Sequence, residues 1–396
     1  MFDWVKNTGM DTSDIQVQVE TTDDLAKGEL GLVTTAPLLP GDILAWAPTS
    51  LLLSKPKAIE LWGDVVEDLS DRIALILLLV QERFVHGKDS KWNLYMEALP
   101  TFQGDVSGPS FLWSEEQLEW LQGSDGYGAA AAMFNTIVDE YEWLNSTLFP
   151  NHLETFPAGV FSFQNYLWGA ANVASRAYGD DTEGTHLCIA PLVDFLNHKA
   201  GALQLTRFGN GIVAYAHKHY DAGEQVWVSY GGKSNAELLS QYGFVDPDNA
   251  QEAFYLRIGE HLPVSAEWQL ELLKQVLDDP ESTIFRISRR PREWEPKLMP
   301  VLRILSSEAP PKDFLSPSEP ELEGMAYDFL KAAIKRRGSE YPASLEEDRK
   351  TLESLTESLA ADLDAERQAL ALKLRISEQE LLELVMSYAN NQALRE

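Results

Sequence analysis

The pattern of apolar and polar positions divides the chain into strand-rich and helical parts. Between residues 16 and 60, short apolar runs alternate with turns, and Pro40-Gly41-Asp42 precedes the apolar run Ile43-Leu44-Ala45-Trp46. Residues 186–245 show short strands again, each bounded by Gly, Asp or Asn. Such spacing is typical of short strands joined by tight turns. We therefore expect both segments to form one β-rich domain.

The residues between these segments have helical spacing. Their longest apolar run, residues 73–80, predicts a core helix, because it is far shorter than the roughly 20 residues that a membrane helix needs. Ser114 and Gln117 are spaced as a capping box and predict the start of another helix. The glycines in residues 123–128 fit a phosphate loop poorly, since no strand precedes them, and we interpret this stretch as a flexible loop.

The pattern changes again beyond about residue 250. Residues 266–276 have helical spacing, residues 306–323 are typical of a linker, and leucines recur at helical intervals from Leu352 to Leu363. Ser377 and Glu380 are spaced to cap a last helix. The predicted fold class is α+β, with a helical insertion inside a β-rich domain and an all-α C-terminal domain. The predicted boundaries are 1–60 and 166–250 for the β-rich domain, 61–165 for the insertion and 251–396 for the C-terminal domain.

Composition narrows the classes of function. The chain has 396 residues, 32 of them Lys or Arg and 62 Asp or Glu, so its formal net charge is -30. Such a charge repels nucleic-acid phosphates and anionic lipid, and it attracts cationic protein segments. A single cysteine, Cys188, excludes an intrachain disulfide and a zinc site built from several cysteines. We expect neither direct nucleic-acid binding nor a membrane span. The residues after Met1 lack the pattern of a targeting segment, so we expect that the chain either has none or has had it removed.

The most informative stretch lies between residues 189 and 245. Asp194 is the one polar residue in an apolar run that Asn197 and His198 directly follow. Polar groups on a buried segment usually contact a ligand or belong to a satisfied hydrogen-bond network. A turn and a strand then lead to Tyr230, and a second tyrosine follows at Tyr242.

Together these residues resemble the SET-domain protein methyltransferases, specifically the branch similar to the Rubisco large-subunit lysine methyltransferase. The resemblance covers most of the chain. It rests on the glycine motif at residues 29–33, WNLYMEALP at 92–100, residues 113–116 and 168–176, DFLNH at 194–198, residues 223–244, and the helical end at 345–348 and 371–376. It implies a SET domain split by a helical insertion and followed by a substrate-binding domain.

The resemblance also implies the reaction and its residues. The methyl group of S-adenosylmethionine would pass to a lysine of a protein substrate with a basic target segment, without a metal. Tyr230 matches the catalytic tyrosine of the family and would also contact the substrate, and Tyr242 matches a wall of the lysine channel that also touches the cofactor. The other expected cofactor contacts are Glu29, Leu30, Gly31, Asn197, His198 and Phe244, and the other expected substrate contacts are Arg176 and Asp194.

Several alternatives stay open at this point. Arg176 and Asp194 could instead form a structural ion pair, and Phe244 could be ordinary core. The family usually has a glycine where Glu29 stands, and no match to the additional substrate-side tyrosine of the Rubisco-methylating members follows His198. Other possible functions are a non-catalytic cofactor-binding scaffold in a larger assembly, for example in plastid transcription, a histidine methyltransferase, which Tyr242 disfavours, or a plain helical interaction protein. The family suggests the plastid stroma, with cytoplasm and nucleus as alternatives.

Overall fold

The structure, a computed structural model, describes residues 17–21, 30–104, 106–179, 187–208, 211–259, 264, 266–279, 283–317, 319–355 and 362–393. Two compact units contain them: residues 1–112 with 131–231, and residues 113–130 with 232–396. These limits differ from the predicted boundaries, since part of the predicted insertion belongs to the second unit. The four-part division into domains stays a prediction.

Helices and small sheets alternate in the first unit. Its strands are β1 (Val17–Thr21), β2 (Leu30–Thr34), β3 (Ile43–Pro48), β4 (Leu53–Ser54), β5 (Cys188–Ile189), β6 (Asn197–His198), β7 (Thr206–Phe208), β8 (Gly211–Tyr215) and β9 (Trp227–Val228). They form sheets that pair β1 with β2, β4 with β5 and β6 with β9, and that place β8 between β3 and β7. Its helices are α1 (Lys55–Trp62), α2 (Asp71–Val80), α3 (Asn93–Ala98) and α6 (Phe163–Arg176), with α5 (Asp125–Trp143) beginning in the second unit.

The core of the first unit contains the predicted helix. Helix α2 buries every residue from Ala74 to Val80, which confirms the core helix predicted from residues 73–80. Burying each large aliphatic side chain stabilises a fold by about 1.5–3 kcal/mol relative to leaving it exposed. A Cβ atom added at Gly169 of α6 would lie 3.0 Å from Ile76 Cγ2 and 3.2 Å from the Ile76 carbonyl oxygen. Helices α2 and α6 therefore pack closely because residue 169 has no side chain.

The second unit is mainly helical. It contains α4 (Glu115–Leu118), α7 (Asn235–Tyr242), α8 (Glu267–Leu273), α9 (Pro291–Ser306), α10 (Pro320–Gly338), α11 (Leu345–Leu355) and α12 (Leu363–Ala393), with the antiparallel pair β10 (Ala253–Arg257) and β11 (Ile284–Ser288). The predicted α+β class is confirmed, although the domain predicted to be all-α also includes this strand pair. Its core joins the two strands to α9, α10 and α12. No helix among the described residues is long and apolar enough to cross a membrane.

Two local predictions for the second unit are wrong and one is confirmed. Residues 123–128 are not a loop throughout, because α5 begins at Asp125, whose backbone N–H donates to the Glu378 carboxylate at 3.0 Å. Ser377 does not cap a last helix, since it lies inside the continuous helix α12. Ser114 does form the expected capping box with Gln117 at the start of α4.

Candidate functional site

The backbone of residues 223–228 lies between two strands of the first unit. On one side the Val226 N–H donates to the Leu32 carbonyl of β2 at 2.9 Å. On the other side β9 runs parallel to β6, with Asn197 opposite Trp227. Short sequence segments that are far apart in the chain therefore meet here, because successive main-chain hydrogen bonds join them.

The Asn197 side chain links three of these segments. Its Nδ2 donates to the Leu30 carbonyl oxygen at 3.2 Å and to Gln225 Oε1 at 2.9 Å. Leu30 and Gly31 lie on β2, so Asn197 is brought to the predicted glycine motif. Glu29 lies outside the described residues. Gln225 was not among the predicted site residues, although its position in the motif at residues 223–244 was a signal.

Tyr230 follows β9 and is held by two hydrogen bonds. Its hydroxyl donates to the Leu196 carbonyl oxygen at 2.9 Å, and its backbone N–H donates to His198 Nδ1 at 3.0 Å. The Tyr230 and His198 ring centroids are 5.2 Å apart. A hydroxyl that donates its one hydrogen acts towards any further group as an acceptor. A neutral His198 ring that accepts at Nδ1 has its own hydrogen on Nε2.

Arg176 and Asp194 form a buried ion pair. Arg176 Nη1 lies 3.0 Å from Asp194 Oδ2, and the Tyr95 hydroxyl donates to the same oxygen at 2.6 Å. The Asp194 side chain is 2% exposed and that of Arg176 17%. The guanidinium also lies 5.3 Å from the Phe195 ring centroid. The ion pair left open by the sequence is therefore present, and a contact of either residue with substrate stays a prediction.

Burial and charge shift the pKa values of this cluster. Burial raises the pKa of the Asp194 carboxyl, although the Arg176 guanidinium and the Tyr95 hydroxyl oppose that shift. Burial acts to lower the pKa of Arg176, but the Asp194 carboxylate raises it overall. Burial and Asp194 together raise the pKa of Tyr95 well above its usual value. Arg176 is therefore held in its charged form beside Asp194, and it also interacts electrostatically with Tyr230.

Tyr242 and Phe244 belong to the second unit, at the end of α7. A capping box of Ser234 and Glu237 starts this helix, and Gly243 ends it in the left-handed conformation with φ of 85°. The Tyr242 and Phe244 ring centroids are 6.2 Å apart, and Lys233 Nζ lies 5.7 Å from the Tyr242 ring. Burial and Glu237 raise the pKa of Tyr242 to about 12. Their predicted contacts with cofactor and substrate remain predictions.

The first unit offers several polar atoms for a ligand. Among the described residues, Arg176 Nε, Asp194 Oδ1 and Gln225 Nε2 are buried and have no hydrogen-bond partner. Buried polar atoms usually find a partner, so the unpaired atoms of Arg176 and Asp194 fit a polar ligand.

Comparison with known proteins identifies the architecture. The family model described as "Rubisco LSMT substrate-binding" matches residues 265–382. A crystal structure of the LSMT SET domain bound to lysine and AdoHcy aligns with a TM-score of 0.78 and 24% identity, covering 99% of this chain and 90% of that one. The chain has the fold of the LSMT SET-domain structures, and residues 265–382 match the Rubisco LSMT substrate-binding family. The structure of Rubisco LSMT bound to AdoMet aligns equally well, with a TM-score of 0.78 and 24% identity over 99% of this chain and 91% of that one.

Curated relatives of the chain differ in the target that their names give, which is the Rubisco large subunit in some and an actin histidine in others. The Rubisco large subunit N-methyltransferase, chloroplastic, of Pisum sativum is 26% identical over 270 residues, which are 64% of this chain and 53% of that protein. The actin-histidine N-methyltransferase of Danio rerio is 25% identical over 392 residues, 90% of this chain and 63% of that protein. The chain spans about half the length of the Rubisco relatives that it matches.

The predicted site residues of the first unit fall into two groups. The first unit brings together Leu30, Asn197, His198 and Tyr230, with Gly31 next to Leu30 on β2. It also joins Arg176 to Asp194. Missed by sequence reasoning are Gln225 and Tyr95, whose partners lie 28 and 99 positions away. Tyr95 was part of a recognised motif, but nothing local indicated its hydrogen bond to Asp194.

Proposed function

We propose that this chain transfers a methyl group from S-adenosylmethionine to a lysine side chain of a protein. The observation that carries the proposal is the position of Tyr230, whose hydroxyl and backbone are both fixed by the segment Leu196–His198. The hydrogen bond from Asn197 Nδ2 to the Leu30 carbonyl oxygen, which joins two of the expected cofactor contacts, supports cofactor binding. The likeness to structures of LSMT with AdoMet, AdoHcy and lysine supports the same choice of cofactor and acceptor.

The chemistry needs orientation more than acid or base strength. S-adenosylmethionine, when bound, supplies a methyl group on a positively charged sulfur, and its transfer leaves S-adenosylhomocysteine. The acceptor amine must first lose its proton, and an apolar surrounding favours that loss because it disfavours the charged form. Tyr230 would orient the amine through the phenolic oxygen, whose own hydrogen is engaged by the Leu196 carbonyl. His198 would keep the Tyr230 backbone in place for that alignment.

Lysine is preferred over histidine for one reason from the sequence. Tyr242 matches a tyrosine that the histidine-methylating members lack, and its ring belongs to the end of helix α7. Histidine is nevertheless a specific second candidate, because the actin-histidine relative aligns over 90% of this chain. Mass spectrometry of the methylated residue decides between the two acceptors.

The partner that we propose is a protein with a basic target segment. The net charge of -30 attracts such a segment over a distance and so favours its encounter with the enzyme. We also propose a plastid location, which the chloroplastic relatives from Pisum sativum and Nicotiana tabacum support. Membership of a larger complex stays a prediction.

The test compares Tyr230→Phe with the wild type in transfer of tritiated methyl to an organelle or cell extract. Loss of an orienting hydroxyl should lower kcat on the order of 100-fold. Cofactor affinity, measured by calorimetry, should stay nearly constant. The matched control is Tyr141→Phe, since the Tyr141 hydroxyl also donates to a main-chain carbonyl, that of Phe161 at 3.1 Å, but lies outside the site.

Each result of this test has a definite reading. Labelled lysine that depends on Tyr230 supports the proposal, and labelled histidine assigns the chain to the second candidate function. Cofactor binding without any labelled protein favours the scaffold. Equal rates for Tyr230→Phe and wild type remove Tyr230 from the mechanism.

A further inference from the structure

Gln225 is a buried residue, and one of its two side-chain polar atoms has a hydrogen-bond partner. It is 9% exposed, and its Oε1 accepts from Asn197 Nδ2 at 2.9 Å. Its Nε2 has no hydrogen-bond partner among the described residues. A buried amide group without a partner is costly, so packing alone favours an apolar side chain of similar size at this position. What a glutamine adds here is the acceptor oxygen for Asn197.

The backbone fixes where that oxygen lies. Gln225 pairs with Val33 of β2 in an antiparallel bridge, and hydrogen bonds on both sides of it, Thr34 N–H to Glu224 O and Val226 N–H to Leu32 O, are 2.9 Å long. Two residues later, β9 joins the parallel pair with β6. The Gln225 side chain therefore starts from a backbone held between β2 and β6.

This placement determines the orientation of Asn197. A carboxamide NH2 has two hydrogens, and the Asn197 group points them at Leu30 O and Gln225 Oε1. With both acceptors in place the amide cannot turn over, and Asn197 Oδ1 must lie on the side away from them. Without Gln225 one of the two acceptors is lost, and the opposite orientation of the amide becomes accessible.

We propose that Gln225 is a positioning residue, which holds the Asn197 amide so that Asn197 Oδ1 can accept a hydrogen bond from the amino group of S-adenosylmethionine. This inference rests on the proposed function and adds a residue to its cofactor site. Gln225 itself does not touch the cofactor. Its effect reaches the cofactor through Asn197.

The experiment measures the Kd and KM for S-adenosylmethionine and the kcat of full-length variants. Gln225→Met keeps the size of the side chain and removes the acceptor, and it should raise the Kd and KM about fivefold, as expected for the loss of one hydrogen bond. At saturating cofactor, kcat should stay within about twofold of wild type. Gln225→Glu keeps an acceptor oxygen and should recover most of the affinity.

A double variant separates positioning from a direct contact. In an Asn197→Ala background, Gln225→Met should cause no further loss of affinity, because the residue through which it acts is already gone. An equal fivefold loss in that background would overturn the inference, as would an unchanged Kd for Gln225→Met. An equal loss of affinity for Gln225→Glu and Gln225→Met would also contradict it, since the acceptor would then be irrelevant.

Controls keep this result distinct from the proposed function. If the wild type fails to bind S-adenosylmethionine, the proposed function fails and the inference falls with it. If the wild type binds and Gln225→Met binds equally well, the inference alone fails. Circular dichroism checks that each variant unfolds cooperatively, and Gln225→Ala is judged by the same criteria should Gln225→Met not fold.

Discussion

Replacing Asp194 by asparagine tests whether its ion pair stabilises the fold. The substitution removes the negative charge 3.0 Å from Arg176 Nη1 and weakens the acceptor of the Tyr95 hydroxyl. Breaking one side of a buried pair costs about 3–5 kcal/mol. Because 17% of the Arg176 side chain reaches solvent, we expect the lower end, about 3 kcal/mol.

A second substitution in the same cluster gives a scale for this loss. Tyr95→Phe removes one hydrogen bond to the carboxylate but keeps the ion pair, so it should lower the free energy of unfolding by about 1.5 kcal/mol. An exposed pair provides the control. Lys57 and Glu60 lie 2.6 Å apart on the surface of α1, where the Glu60 side chain is 64% exposed, and Glu60→Gln should cost less than about 0.5 kcal/mol.

The assay is urea unfolding followed by circular dichroism, with methyl transfer measured on the same preparations. The structural interpretation requires the order Asp194→Asn, Tyr95→Phe, Glu60→Gln, from the largest loss of stability to the smallest. If Asp194→Asn unfolds at the same urea concentration as wild type while KM for the protein substrate rises, the reasoning is refuted. Asp194 would then be a substrate contact, as the family resemblance implies.

Two further predictions concern stability. Burial, with repulsion from Asp125, raises the pKa of the Glu378 carboxyl well above its usual value. The folded state therefore binds this proton more tightly than the unfolded state. The resulting stabilisation is complete below the unfolded pKa near 4.5 and is lost as the pH rises through the folded pKa. Urea midpoints should therefore fall more steeply with rising pH in wild type than in Glu378→Gln, and parallel curves would contradict this. Gly169→Ala should lower the free energy of unfolding by about 1–3 kcal/mol, because the added Cβ crowds Ile76. Gly128→Ala should be neutral or stabilising, since its added Cβ meets nothing within 4 Å. Thermal melts in which Gly128→Ala is the less stable variant would refute the packing argument.

Elements with a strong local signal were predictable from the sequence. The apolar run at residues 73–80 has no plausible place except a core, and α2 buries it. The capping box of Ser114 and Gln117 forms because both partners of each hydrogen bond lie within four residues. The motif at residues 194–198 also predicted specific polar contacts, since a polar pair directly after a buried segment has to be placed against particular partners, and Asn197 and His198 both have them.

Elements with distant partners were not predictable. Ser377 has the spacing of a helix cap, but its hydroxyl bonds the Glu252 carboxylate and accepts from Asn235 Nδ2 at 3.0 Å, so the helix continues through it. In the same way, the Glu378 carboxylate accepts the Asp125 N–H that opens α5, across 253 positions. In both cases a side chain from a distant part of the sequence forms the hydrogen bond, and a local sequence pattern does not indicate such a partner.

The presence of Tyr230 in the sequence does not by itself distinguish an enzyme from a non-catalytic scaffold. From sequence alone, a scaffold has no chemical need of this hydroxyl. The structure gives the hydroxyl a partner, the Leu196 carbonyl oxygen at 2.9 Å, so its loss would also leave a main-chain acceptor unpaired and cost about 1 kcal/mol of stability. A scaffold and an enzyme thus both have a use for it. The two roles differ in the expected rate of methyl transfer. If the role of the hydroxyl is structural, Tyr230→Phe should lose only as much stability as Tyr141→Phe, which loses an equivalent hydrogen bond. If the chain is an enzyme, Tyr230→Phe should also show a large fall in kcat.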